Sequence, residues 1–392
     1  MKRIWITILL FSLFITVLLG SFLRNDNPVI GIMFAGSTEM DVANTIQMAK
    51  LVGASEIYMY VGYEGRAYLN KPHTPQLFGL EYDGDNFLKA AISEFHQNNL
   101  RVIAVFSSQL FGSNPNPESY PLLQQFPDGT YADLIDPQQS MSYCEMLAKE
   151  AAAEGVDGIY IGEPYYKDST VRGWDPQRNE RWTAFYQNIN SLLHKKYPAL
   201  ELNLILPVHY FFYQNEPFGA GEQDHGLNTD VVDAGFNDVG LDMSSIYATG
   251  SKTELAETEV MASLASNIGG PHSIAELSMN RYGSNDEKIP VKFLASQIKI
   301  LRKYGIHEIL LFSNQSMDMY SLQELNIINH ALLDNPGIDK QPVKKVVFHS
   351  PTSDQWRIDI AEQVRRAVAY VEQGFTVNIK YGGTVEGTGG SK

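Results

Sequence analysis

The sequence predicts an α/β protein, a (β/α)8 or TIM barrel with an N-terminal transmembrane or signal helix and a small C-terminal βαβ extension. Three observations carry that prediction. Eight short apolar, β-favouring runs alternate with mostly helix-length stretches. No G-x-G-x-x-G follows the first run, so an open dinucleotide-binding sheet has no support. Long loops follow runs two to five, and in barrels those loops build the active face.

The runs come in order. VIGIMFAG (29–36) is strand one, and Ser37-Thr38 offer a cap for the helix MDVANTIQMAKLVGA. EIYMYVGYEG (56–65) is strand two, with NFLKAAISEFHQNN as its helix. RVIAVFSSQL (101–110) is strand three, followed by a loop rich in Pro, Asn and Tyr and the helix SMSYCEMLAKEAAAEG. VDGIYIGEPYY (156–166) opens as strand four. ELNLILPVHYFF (201–212) is strand five, reached through ERWTAFYQNINSLLHKKY. FNDVGLDMSSIYA (236–248) contains strand six and HSIAELSMNRYG (272–283) strand seven. VKFLASQIKILRKYG leads to EILLFSN (308–314), strand eight, and SLQELNIINHALLDN closes the series. Beyond it, VKKVVFHS, QWRIDIAEQVRRAVAYVEQG and FTVNIKYGG form one βαβ unit, too small to bury a core alone. The expected division is 1–24, 25–337 and 338–392.

Lys2 and Arg3 precede twenty uncharged residues, 4–23, long enough to span a bilayer as a helix. The basic flank would stay cytoplasmic and place the rest outside. An uncleaved anchor and a cleaved signal peptide both fit; either makes the folded part extracytoplasmic. The net charge of −15 speaks against a nucleic-acid surface. The single cysteine, Cys144, excludes an internal disulfide and reads as a buried small hydrophobe.

The chemistry is expected at strand ends. Pro164 cannot continue a sheet ladder, so Glu163 stands where strand four stops. Glu276 lies near the end of strand seven. Paired carboxylates flanking an anomeric carbon are the equipment of glycoside hydrolysis: one protonates the leaving oxygen, and the other attacks or activates water.

On these residues the chain resembles the clan of retaining glycosidases built on (β/α)8 barrels. The resemblance implies Glu163 in Gly162-Glu163-Pro164 as acid/base, where the clan commonly has Asn-Glu-Pro. It implies Glu276 in Ile274-Ala275-Glu276 as nucleophile and places Tyr247 beside it. A carboxyl separation of about 5–5.5 Å would mean retention, and about 6.5–9.5 Å inversion. A literal Asn215-Glu216-Pro217 lies in a glycine-rich stretch after strand five and is the competing acid. Asp157-Gly158-Ile159 begins like the chitinase D-G-x-D-x-D-x-E strand, but Tyr160, Gly162 and Pro164 take its later acidic places, leaving Asp157 as a brace for the strand.

Aromatic rings in the expected active-face loops would stack on sugars, foremost Tyr165, Tyr166, Trp174 and Tyr282, with His209 able to bind a hydroxyl. Trp182 and Phe212 read as core. His73, His209, His225 and His272 fall on separate elements without metal-ligand spacing, so neither metal nor cofactor is expected. The expected partner is a carbohydrate, with the membrane reached through the N-terminal helix. A non-catalytic carbohydrate-binding or scaffold protein on the same barrel is the alternative.

Overall fold

A computed structural model describes residues 28–34, 38–63, 66–67, 81–82, 87–107, 111–112, 123–125, 131–133, 137–162, 176–207, 235–243, 246, 250–281, 287–312, 320–334, 342–348 and 355–381. Within them, eight parallel strands close into a barrel: β1 (Val29–Phe34), β2 (Glu56–Tyr63), β3 (Arg101–Ser107), β4 (Gly158–Gly162), β5 (Glu201–Pro207), β6 (Asp238–Asp242), β7 (Ser273–Ser278) and β8 (Glu308–Phe312). The ring shuts where β1 pairs with both β2 and β8. All eight expected strands are present in the expected order. Two expected long loops carry strands of their own. Arg66–Ala67 pairs antiparallel with β2 and leads on to Glu81–Tyr82, and 111–112, 123–125 and 131–133 form a small antiparallel sheet after β3.

Seven described helices surround the ring: α1 (Glu39–Val52), α2 (Phe87–Gln97), α3 (Pro137–Glu154), α4 (Pro176–Lys196), α5 (Lys252–Gly269), α6 (Val291–Lys303) and α7 (Leu322–Leu333). Local chemistry sets several starts. Thr38, Ser251 and Ser321 each form a reciprocal capping box, with Asp41, Glu254 and Glu324 at the third helical position. The helix α5 is absent from the sequence-based reading. Both its sides are covered, so its acidic residues masked an amphipathic pattern.

Strand alternation splits the apolar core in two. Outward side chains meet the helices. Inward ones form a separate plug that includes Met33, Tyr58, Ile103, Tyr160, Ile205, Ile274 and Leu310. At β6 the inward position is Gly240, where a Cβ would lie 1.9 Å from the Ile274 carbonyl oxygen; only a glycine lets β6 and β7 come this close.

The C-terminal unit consists of β9 (Val343–Phe348), α8 (Gln355–Glu372) and β10 (Thr376–Tyr381), with β9 and β10 parallel. It packs on α5, which itself lies on β6 and β7. Ser263 of α5 donates to the Val377 carbonyl (3.2 Å) and accepts from the Ile379 amide (2.8 Å). The Tyr304 hydroxyl lies within hydrogen-bond distance of the same carbonyl and of Glu259, sharing its one proton between them, and Lys303 also reaches Glu259. Buried Val346, Phe348, Val377 and Ile379 join the outer core.

Among the described residues, no helix is long and apolar enough to cross a membrane. The expected anchor, 4–23, lies outside them.

Candidate active site

Following single strands upward leads to the candidate site. Along β7, Ile274 belongs to the interior plug and Glu276 comes two residues later, so alternation turns Glu276 inward toward the carboxyl end. It is 6% exposed. Along β8 the same climb runs Glu308, Leu310, Phe312; along β6 it runs Asp238, Gly240, Asp242. Glu276 is the Cα partner of Asp242 on one side and of Leu310 on the other. Two inward carboxylates therefore stand in neighbouring strands above one apolar plug. Asp242, half-buried, has no place in the sequence reading; a lone acid in GLDMSS belongs to no motif, and only the register reveals it.

The backbone around Glu276 is fixed. Its carbonyl accepts from the Met243 amide at 2.9 Å. Just beyond it, Ser278 accepts from the Asn280 amide and donates to the Asn280 carbonyl, while the Tyr320 hydroxyl lies within hydrogen-bond distance of the carbonyls of Met279 and Ile289 and shares its one proton between them. These bonds turn the chain sharply off the rim and hold the end of β7 in place.

β4 ends at Gly162, whose carbonyl accepts from the buried Tyr186 hydroxyl at 2.8 Å. Glu163 follows directly in sequence, and its own placement lies outside the described residues. So do those of Tyr165, Tyr166, Trp174, His209, Glu216, Tyr247 and Tyr282, and the side chain of Trp182. Of the expected site residues, the described structure thus places Glu276.

Two other expectations are met. The Asp157 carboxylate accepts from the Val102 amide at 2.8 Å and lies 2.9 Å from His96 Nε2, bracing the base of β4. Cys144 is buried in α3, and that burial pushes its thiol well above the usual range, as suits a packing residue.

No family model matches the sequence, and no curated protein matches it either. Solved structures do. The alpha-L-fucosidase isoenzyme 2 from Paenibacillus thiaminolyticus superposes with a TM-score of 0.57 at 11% identity, over 90% of this chain and 57% of that one. The chain thus spans little more than half the length of that enzyme. An endo-1,4-beta-mannanase from Rhizomucor miehei superposes with a TM-score of 0.52 at 8% identity, over 78% of this chain and 94% of that one. The barrel is one that glycoside hydrolases use. At such identities the likeness is one of fold.

Proposed function

We propose that the chain is a glycoside hydrolase acting on a polysaccharide or oligosaccharide by retaining double displacement. The observation that carries this reading is Glu276, an inward-facing and nearly buried carboxylate at the carboxyl end of β7, the end where barrel enzymes keep their chemistry. The shared fold with a fucosidase and a mannanase supports it.

In this reading Glu276 attacks the anomeric carbon and forms the glycosyl-enzyme bond. Glu163, next after the pinned end of β4, protonates the departing oxygen and then deprotonates the incoming water. Asp242, beside Glu276, accepts a sugar hydroxyl or an adjacent polar hydrogen. Tyr165, Tyr166, Trp174, Tyr247 and Tyr282 stack against sugar faces, and His209 binds a hydroxyl. The uncharged stretch 4–23 behind Lys2 and Arg3 would hold the enzyme on the outer side of a membrane.

The test is hydrolysis across a panel of polysaccharides and aryl glycosides. Once a substrate is found, Glu276→Ala should abolish turnover. Glu163→Ala should keep the first step on a nitrophenyl glycoside, slow the second, and recover turnover with azide, giving a product of retained configuration. Full activity in both variants would sink the assignment, and loss on Glu216→Ala instead would move the acid to the Asn215-Glu216-Pro217 triplet.

A further inference from the structure

At the amino end of the barrel, opposite Glu276, four carboxylates gather from separate strands: Glu56 of β2, Glu201 of β5, Asp238 of β6 and Glu308 of β8. Oxygens of Glu56, Glu201 and Glu308 all lie within 4.8 Å of one another. Arg101 of β3 bonds Glu56 through Nη1 and Glu201 Oε2 through Nη2. His272 Nδ1 lies 3.3 Å from Asp238. One permanent cation stands against four acids, so each acid that ionises beyond the first adds uncompensated negative charge. Burial, its largest cause, pushes Glu56 up to about 7 and Asp238 up to about 6, and it lifts Glu308 well above the carboxylate range.

Protonation alone does not satisfy this cluster, because one of its buried acceptors is not an acid. Asn203 is 0% exposed. Its Nδ2 donates to Glu201 Oε1 and to the Tyr58 hydroxyl, both at 3.0 Å, which holds the carboxamide against the acids. Its Oδ1 has no hydrogen-bond donor, and an amide oxygen takes up no proton at neutral pH. Glu308 hydrogen-bonds Tyr58 and Glu56, yet as ionised groups Glu56 Oε2 and Glu308 Oε1 still lack a donor. β1 contributes Gly31 to this floor, and Leu310, Tyr58 and Glu308 Oε1 pack close against it: a Cβ there would lie 3.0–3.1 Å from each. A water molecule would meet these lone pairs without meeting the charge. A cation meets both.

We propose that the amino end of the barrel binds one calcium ion, held by carboxylate oxygens of Glu56, Glu201 and Glu308 and by the amide oxygen of Asn203. An all-oxygen donor set selects a hard cation over zinc or copper. Oxygens up to 4.8 Å apart suit a centre at roughly 2.3–2.6 Å from each ligand better than the tighter shell of magnesium at about 2.0–2.1 Å. The route in is on the side of Arg101 and Glu201, whose side chains reach solvent. The ion would tie β2, β5 and β8 together across the floor. Its role is structural, and it stands independently of any reaction at the other end.

The experiment uses the full chain, stripped with EDTA and titrated with CaCl2, with MgCl2 in parallel, by calorimetry and thermal melting. The expected result is one Ca2+ per chain with a Kd of roughly 10⁻⁵–10⁻³ M and a higher Tm. Glu308→Gln and Glu56→Gln should each weaken binding by about 10-fold or more, and Asn203→Asp, which adds a charge, should tighten it. Glu257→Gln, in a separate acidic group on α5, should leave the affinity unchanged. Circular dichroism confirms that each variant is folded; Asn203→Asp, which keeps the shape of the residue, supplies a second arm should a glutamine variant unfold. Absence of saturable Ca2+ binding in the folded parent overturns the proposal. So does an affinity that none of the floor substitutions moves, or binding confined to Mg2+.

Discussion

Asp242 and Glu276 are Cα partners across β6 and β7, two inward carboxylates side by side at the carboxyl end of the barrel. Their adjacency gives distinct expectations for the pair. Glu276→Gln keeps the shape but removes the proposed nucleophile, so turnover should fall by several orders of magnitude. Asp242→Asn should cost less, roughly 10²-fold in kcat/KM. Azide should not rescue Asp242→Asn, because in this reading Asp242 is neither the attacking group nor the base for the incoming water. Rescue of Glu276→Gln by azide with inverted product would confirm its attack on the anomeric carbon from the opposite face, and rescue with retained product would reassign it as the acid/base.

Gly240 supports that pair from below. A methyl at this position would meet the backbone of Ile274, with the nearest atom 1.9 Å away. Backbone on both sides cannot rotate away as a side chain can, so Gly240→Ala must part β6 from β7. The expected loss of stability is roughly 1–3 kcal/mol or more, read from urea unfolding. Because the strands separate under Asp242 and Glu276, activity should fall in the fraction that still folds. A melting curve identical to the parent's would show that β6 and β7 are farther apart than described.

Much of this architecture was legible before any coordinates. The barrel strands announce themselves because each is buried on both sides and reads as a short apolar run between turn signals. Glu276 was legible as the acid that ends Ile274-Ala275-Glu276, and Asp157 as a brace because its motif partners are missing. The helix α5 was not legible. Its buried residues include Glu254, Glu257 and Glu259, covered by a C-terminal unit lying more than 70 residues further along the chain, and no local pattern encodes that cover. Asp242 and the floor acids escaped for a related reason. Each is a single residue on its own strand, and only the closed ring brings them together.

The cover over α5 makes the C-terminal unit part of the barrel's stability. Ser263 is the sharpest probe, since its hydroxyl serves both the Val377 carbonyl and the Ile379 amide while buried. Ser263→Ala strands the Ile379 amide, and the expected cost is about 1–3 kcal/mol. Removing residues 338–392 should do far more, uncovering Val377, Ile379 and Phe348 contacts and the acids of α5. The truncated chain should aggregate or bind a hydrophobic dye. If it instead melts as cooperatively as the parent, the unit is an independent appendage.

Glu257 supplies a pH test of the same interface. Burial, and then the neighbouring charges of Glu254 and Glu372, push its carboxyl from an ordinary 4.5 up to about 8. The unfolded chain releases this proton near 4.5, whereas the folded chain keeps it until about 8. Between those values the folded state binds more protons, so stability falls as pH rises and levels off above the higher value. The loss is on the order of a few kcal/mol. Glu257→Gln, which is neutral throughout, removes this dependence. It should match the parent near about pH 4.5 and exceed it near about pH 9, with the gap opening across the interval. Urea unfolding at both pH values measures it. An equal stability difference at the two ends would mean that Glu257 is ionised in the folded protein, with a counter-charge to hold it there.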